Sequence, residues 1–134
     1  MNIAFFLLPK NEVAYLTEQF TLRQALEKME YHRYTSIPIL NKEGKYVGTI
    51  TEGDILWFFK NTANLSLENA HRHFISEVPI QRPNQSVRID ANMEDLISLA
   101  KVQNFVPIVD DLDNFIGIVR RSDIIEYCAS KMLF

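Results

Sequence analysis

Two stretches decide the fold: SIPILNKEGKYVGTITEGDIL, running from Ser36 to Leu56, and FVPIVDDLDNFIGIVRRSDII, running from Phe105 to Ile125. Laid over each other without a gap, they put Pro38 on Pro107, Gly48 on Gly117 and Asp54 on Asp123, each pair 69 residues apart. The positions between agree in character, with Ile39 on Ile108, Val47 on Ile116, Ile50 on Val119 and Ile55 on Ile124. Agreement of this kind over 21 positions marks an internal repeat, one supersecondary unit built twice.

Each copy reads as a hairpin followed by a helix. The apolar run Ile37 to Leu40, the polar Asn41 to Gly44 and the alternating Tyr46 to Ile50 predict strand, tight turn and strand. Asp110 to Asn114 forms the turn of the second copy, where Asp113 stands at the place of Gly44; both types tolerate positive φ. Helices follow over about 54–60 and 123–131.

Working outward, a helix precedes each hairpin. Thr21 to Gln24 has the form of a capping box, with Leu22, Ala25, Leu26 and Met29 as its apolar stripe; Asn92 opens the second, with Met93, Leu96, Ile97 and Ala100. Residues 13–16 and 87–89 are the candidate leading strands. The unit is strand, helix, strand, strand, helix, an α/β (α+β) class. About 55 residues bury too little surface alone, so two repeats are expected to pack sheet to sheet around a pseudo-two-fold axis as one module over 1–134. We place the first repeat at 9–60, a polar linker with a short helix at 61–74, and the second repeat at 75–131.

Composition bounds the function. The chain has 134 residues, 47% hydrophobic and 23% charged, with a net charge of -3 and scattered basic residues. This argues against a nucleic-acid surface. The apolar run Ile3 to Leu8 lacks a basic start and is too short for a signal or a membrane span, which leaves no membrane partner expected. A single cysteine, Cys128, suits a reducing compartment, and the cytoplasm is the expected location. His71 and His73 face differently on a helix and find no further ligands to make a metal set. No nucleophile, base and orienter pattern is present, so catalysis is not expected.

The junction after each hairpin carries the chemistry. Thr51 and Asp54 stand where a strand ends and a helix begins. A hydroxyl, free helix amides and a carboxylate there can hold phosphate and ribose; equally, the two side chains can simply cap the helix, for about 1 kcal/mol. Residue chemistry leaves both open.

The proline, the glycine and the T-x-x-D that follow each other in SIPIL-N-KEGKYVGTIT-EGDI, repeated with the threonine changed in FVPIV-D-DLDNFIGIVR-RSDI, resemble the tandem cystathionine-β-synthase (CBS) domain pair, or Bateman module, over nearly the whole chain. The resemblance implies regulatory binding of an adenine nucleotide with no obligatory cofactor, a homodimer through the terminal helices, and a protein effector that reads the bound state. It places Thr51 and Asp54 on phosphate and ribose, and Tyr34, Thr35, Ser36 and Ile37 at the adenine. The second copy departs: Arg120 replaces the threonine, Arg121 follows and Asp123 is kept. Guanidinium groups bind phosphate bidentately, so this half suits a ligand with more phosphate charge or with two phosphodiesters, with Phe105 and Val106 as apolar walls. YTSIPIL together with the paired arginines is similar to the small stand-alone CBS proteins of Gram-positive bacteria that bind cyclic di-AMP. AMP, ATP and cyclic di-AMP are the candidate ligands. The alternative is a non-catalytic scaffold with vestigial pockets. Trp57 to Phe59 and the terminal KMLF are expected to give core or dimer contact.

Overall fold

The computed structural model describes residues 2–81 and 83–132. It divides into two units, residues 14–83 and residues 1–13 with 84–134.

The first unit is a three-stranded sheet in the order β2-β3-β4 with two helices: β2 (Leu16–Thr17), α1 (Leu22–His32), β3 (Ser36–Leu40), β4 (Tyr46–Thr51) and α2 (Glu52–Asn61). β2 runs parallel to β3 and β4 antiparallel to it, with Ile37 opposite Ile50 and Ser36 opposite Thr51. Every residue of β3 is buried, as a central strand requires. The expected capping box closes α1: Thr21 Oγ1 accepts from the Gln24 amide at 3.1 Å, and Gln24 Oε1 accepts from the Thr21 amide at 2.8 Å. Leu16, Leu22, Ala25, Ile37, Ile50 and Ile55 form the centre of this core.

The second unit repeats the order with β5 (Val87–Arg88), α3 (Met93–Ala100), β6 (Phe105–Val109), β7 (Phe115–Arg120) and α4 (Arg121–Met132). Val87, Leu96, Val106, Ile108, Val119 and Ile124 fill its core. The hairpin turns use one device twice. Asn41 Oδ1 accepts from the Glu43 and Lys45 amides, and Asp110 Oδ1 accepts from the Leu112 and Asn114 amides. Gly44 takes φ 82° and Asp113 takes φ 64°, as the turn chemistry predicts.

The two compact units divide the chain at other points than the sequence repeats do. Residues 9–13, read with the first repeat, belong to the second unit, where β1 (Leu8–Pro9) pairs antiparallel with β7 and makes that sheet β1-β7-β6-β5. Residues 61–83, read as a linker and the start of the second repeat, belong to the first unit. The segment is polar between Asn61 and His73, but its few apolar residues anchor it. Ala70, in the 3-10 helix Leu67–Arg72, is fully buried, and Ile75 and Val78 join the same core. Backbone bonds fasten it to the entry of α1, from Leu22 N to His73 O at 2.8 Å and from Ile75 N to Phe20 O at 3.0 Å. The Phe74 amide, and then His73, hold the Glu77 carboxyl below the usual carboxylate range. Leu133 and Phe134 of the terminal KMLF lie outside the described residues.

Gly117 shows what the added strand demands. Its φ is 154°, and a Cβ there would run into the carbonyl oxygen of Leu8 in β1. At its counterpart Gly48 a Cβ meets nothing within 4 Å. Gly117→Ala is therefore expected to destabilise the protein by about 1–3 kcal/mol, and Gly48→Ala by less than about 0.5 kcal/mol; urea unfolding of both variants measures the contrast.

Candidate functional site

The two β-to-α junctions, alike in sequence, are built differently. In the first repeat, Thr51 caps α2. Its Oγ1 accepts from the Asp54 amide at 3.0 Å, and Asp54 Oδ2 accepts from the Thr51 amide at 2.9 Å. The other oxygen, Oδ1, accepts from the amide of Gln81 at 3.1 Å. Asp54 is 3% exposed. Its carboxylate is satisfied by three-residue capping geometry and by the returning chain, so the helix-capping role left open by the sequence is the one this junction displays. Because Thr51 supplies the cap, α2 starts at Glu52, two residues earlier than expected.

In the second repeat Arg120 cannot cap, and Asp123 turns to the guanidinium instead: Arg120 Nε donates to Oδ2 at 2.9 Å and Nη2 to Oδ1 at 3.4 Å. The pair remains partly open, at 53% and 25% side-chain exposure. It borders a cavity of about 550 Å³. One turn further along α4, Glu126 and Tyr127 lie on the same face as Asp123, because residues three and four apart on a helix are neighbours, and they line that cavity too. The opposite wall is Phe5, Phe6, Leu7 and Leu8, held in place by β1 on β7. Phe6 meets Tyr127 edge to face with ring centroids 5.2 Å apart. The cavity thus gathers a cation, two carboxylates and an aromatic and aliphatic wall, the parts needed to hold an anionic head and a flat apolar base.

Arg121 faces elsewhere. Its Nε donates to the carbonyls of Ala100 at 2.8 Å and Gln103 at 3.0 Å, tying the start of α4 to the end of α3. A cation is favoured at those free carbonyls. The paired arginines therefore separate, one to the cavity and one to the framework. Gln103, 4% exposed, braces the approach to β5, accepting from the Gln85 amide at 2.8 Å and donating to the carbonyls of Gln85 and Phe105.

Of the remaining residues singled out by sequence, Ser36, Ile37, Phe105 and Val106 are buried within their strands. Tyr34 and Thr35 border a separate hollow with Leu26, Met29, Glu30 and Ile55 on the helical side of the first unit. Sequence reasoning missed Phe5 to Leu8, Glu126 and Tyr127. Helical spacing from Asp123 points to the last two, whereas Phe5 to Leu8 carry no such signal.

Comparison with known proteins settles the family. The CBS domain family matches residues 7–61 and 64–130. The chain belongs to it. A CBS protein of Listeria monocytogenes, CbpB solved in complex with cyclic di-AMP, superposes with a TM-score of 0.83 at 23% identity, covering 97% of this chain and 96% of that one. CBSX2 in complex with AMP superposes with a TM-score of 0.77 at 19% identity, covering 98% of each. These likenesses establish the CBS-pair fold. An uncharacterized protein of Methanocaldococcus jannaschii is 27% identical over 123 residues, covering 84% of this chain; the chain spans 44% of that relative's length. No helix among the described residues is long and apolar enough to cross a membrane.

The two acidic groups differ in what they hold up. Asp54→Ala strands the Thr51 and Gln81 amides and is expected to lower stability by about 2–4 kcal/mol, whereas Asp123→Ala loses a partly exposed pair and is expected to cost less than about 1 kcal/mol. Denaturant unfolding of the two variants side by side checks this.

Proposed function

We propose that this CBS-pair protein is a regulatory, non-catalytic adenine-nucleotide sensor, and that the ligand occupies the cavity between α4 and the leading segment. The observation that carries the reading is the convergence of Arg120, Asp123 and the Phe5 to Leu8 wall on one cavity of about 550 Å³, inside the usual range of roughly 300–1,000 Å³ for small-molecule sites. Arg120 takes a phosphate through its guanidinium fork, Asp123 accepts from ribose hydroxyls, and the base lies against the aromatic and aliphatic wall. An incoming phosphate competes with Asp123 for Arg120, so a ligand frees the carboxylate in the act of engaging the cation. Among the described residues Arg120 is the one cation bordering this cavity, beside the carboxylates of Asp123 and Glu126, so its lining does not rank AMP, ATP and cyclic di-AMP; related CBS structures hold cyclic di-AMP and AMP.

The first repeat would serve a ligand only after the Gln81 amide leaves Asp54, so Thr51, Asp54 and Tyr34 to Ile37 form a second site only in a rearranged state. This closed junction is also the observation that favours the other reading, a scaffold whose pockets are vestigial. The sensor works in the cytoplasm as a homodimer and passes its state to a protein effector.

Calorimetry and thermal melting with AMP, ATP and cyclic di-AMP test the reading. A ligand at 100 times its dissociation constant is expected to stabilise the fold by about 2.7 kcal/mol. Arg120→Ala and Asp123→Ala are each expected to weaken binding by about 10- to 150-fold, the worth of one charge-assisted hydrogen bond. A melting temperature unmoved by all three nucleotides would establish the scaffold instead.

A further inference from the structure

The edge strands β2 and β5 hold the same place in the two units, yet the space between each strand and the helix after it is filled differently. Leu16 pairs with Ile39 as Val87 pairs with Ile108, and Thr21 caps α1 as Asn92 caps α3. Leu16 to Val87 and Thr21 to Asn92 are both 71 residues, so Tyr15 answers to Ser86, Phe20 to Ala91 and Lys28 to Leu99. In the first unit Lys28 closes the space. Its Nζ donates to the Tyr15 carbonyl at 2.8 Å and lies 5.6 Å and 5.3 Å from the ring centroids of Tyr15 and Phe20, the distances of a cation held over aromatic faces. In the second unit both rings and the ammonium are gone. A hollow of about 470 Å³ lies there, with Ser86, Arg88, Asp90, Ala91, Asp95 and Leu99 on its border. Its rim gains carboxylates as it loses the lysine: Gln19 and Gln24 of the first unit become Asp90 and Asp95. Ser98 takes the place of Glu27, whose charge Arg23 already meets at 3.2 Å. Gln24 spends its side chain on the Thr21 amide, whereas Asp95 gives only its own amide to Asn92. Arg88 is engaged by Asp90 at 3.6 Å, and among the described residues no cation meets the Asp95 carboxylate.

We propose that this hollow binds a small arylalkylamine. The ammonium takes the place of Lys28 Nζ, donating to the Ser86 carbonyl and to Asp95, and the ring takes the space that Tyr15 and Phe20 fill in the first unit. The ligand brings from outside what the first repeat builds from its own chain. A volume of about 470 Å³ lies within the usual range of roughly 300–1,000 Å³ for small-molecule sites. A charge-assisted bond to a carboxylate favours an amine over its uncharged analogue, and Ala91 and Leu99 favour a ring over a bare ammonium. The hollow shares no lining residue with the Arg120 cavity, and the inference does not depend on the nucleotide.

An NMR titration of the isotope-labelled chain with phenethylamine at neutral pH tests the site. Saturable shifts centred on the amides of residues 86–91 and 95–99 are expected. Phenethyl alcohol, which lacks the charge, and ethylamine, which lacks the ring, are each expected to bind about tenfold more weakly. Leu99→Lys supplies the ammonium from the chain itself, as Lys28 does in the first unit, and is expected to weaken phenethylamine about tenfold or more. Asp95→Asn is expected to weaken it about threefold to tenfold. Should Leu99→Lys unfold the chain, Ala91→Phe carries the same comparison by filling the space for the ring. The proposal is overturned by an absence of saturable shifts at tens of millimolar, or by phenethyl alcohol binding as well as the amine. Affinity undiminished in both the filling variant and Asp95→Asn overturns it too.

Discussion

The two-residue strand Leu8–Pro9, laid antiparallel on β7 opposite Gly117 and Ile118, is the contact on which the candidate site depends. It satisfies backbone groups at an edge that would otherwise be open, and it carries Phe5 to Leu8 into place beside α4. Only glycine admits this approach, since a side chain at position 117 meets the Leu8 carbonyl. Without the strand, Arg120 and Asp123 would sit on an open surface with no wall for a base to lie against. A site of this kind is concave because a distant piece of chain closes one side of it.

The same aspartate has two fates in the two repeats, and a single neighbour decides which. A threonine at the end of β4 offers a hydroxyl to the helix amides, and its own amide then faces Asp54, which becomes part of the backbone framework. An arginine at the end of β7 offers no hydroxyl. Its long side chain swings to Asp123 and the pair stays accessible, bordering the cavity. The energetic roles follow: a buried carboxylate with amide donors holds structure, and a partly solvated ion pair contributes little stability and is available for exchange.

Much of this was legible in the chain. The repeat, both hairpins, the capping box at Thr21 and the positive φ at Asp113 follow from short-range rules, which act within a few residues and leave their mark in sequence. The destinations of the segments around them did not. Residues 61–83 look like a polar connection because only Ala70, Ile75 and Val78 among them need burial, and counting polar residues hides three anchors. Arg120 and Arg121 look like one basic cluster, yet successive residues at a strand-to-helix corner point in different directions, and the carbonyls of Ala100 and Gln103 that claim Arg121 lie some twenty residues away. The wall of the cavity comes from the far end of the chain, a relation no local pattern encodes.

The crossing of the leading segments bears on ancestry. A polypeptide holding one repeat alone would fold with its own leading segment unplaced, and the simplest remedy is a twin that lends its segment in return, a reciprocal domain swap. Joining two such chains end to end turns a loan between partners into a feature of one molecule. It also frees the two halves to diverge, so that one keeps its threonine and seals its junction while the other exchanges it for arginine and keeps an opening.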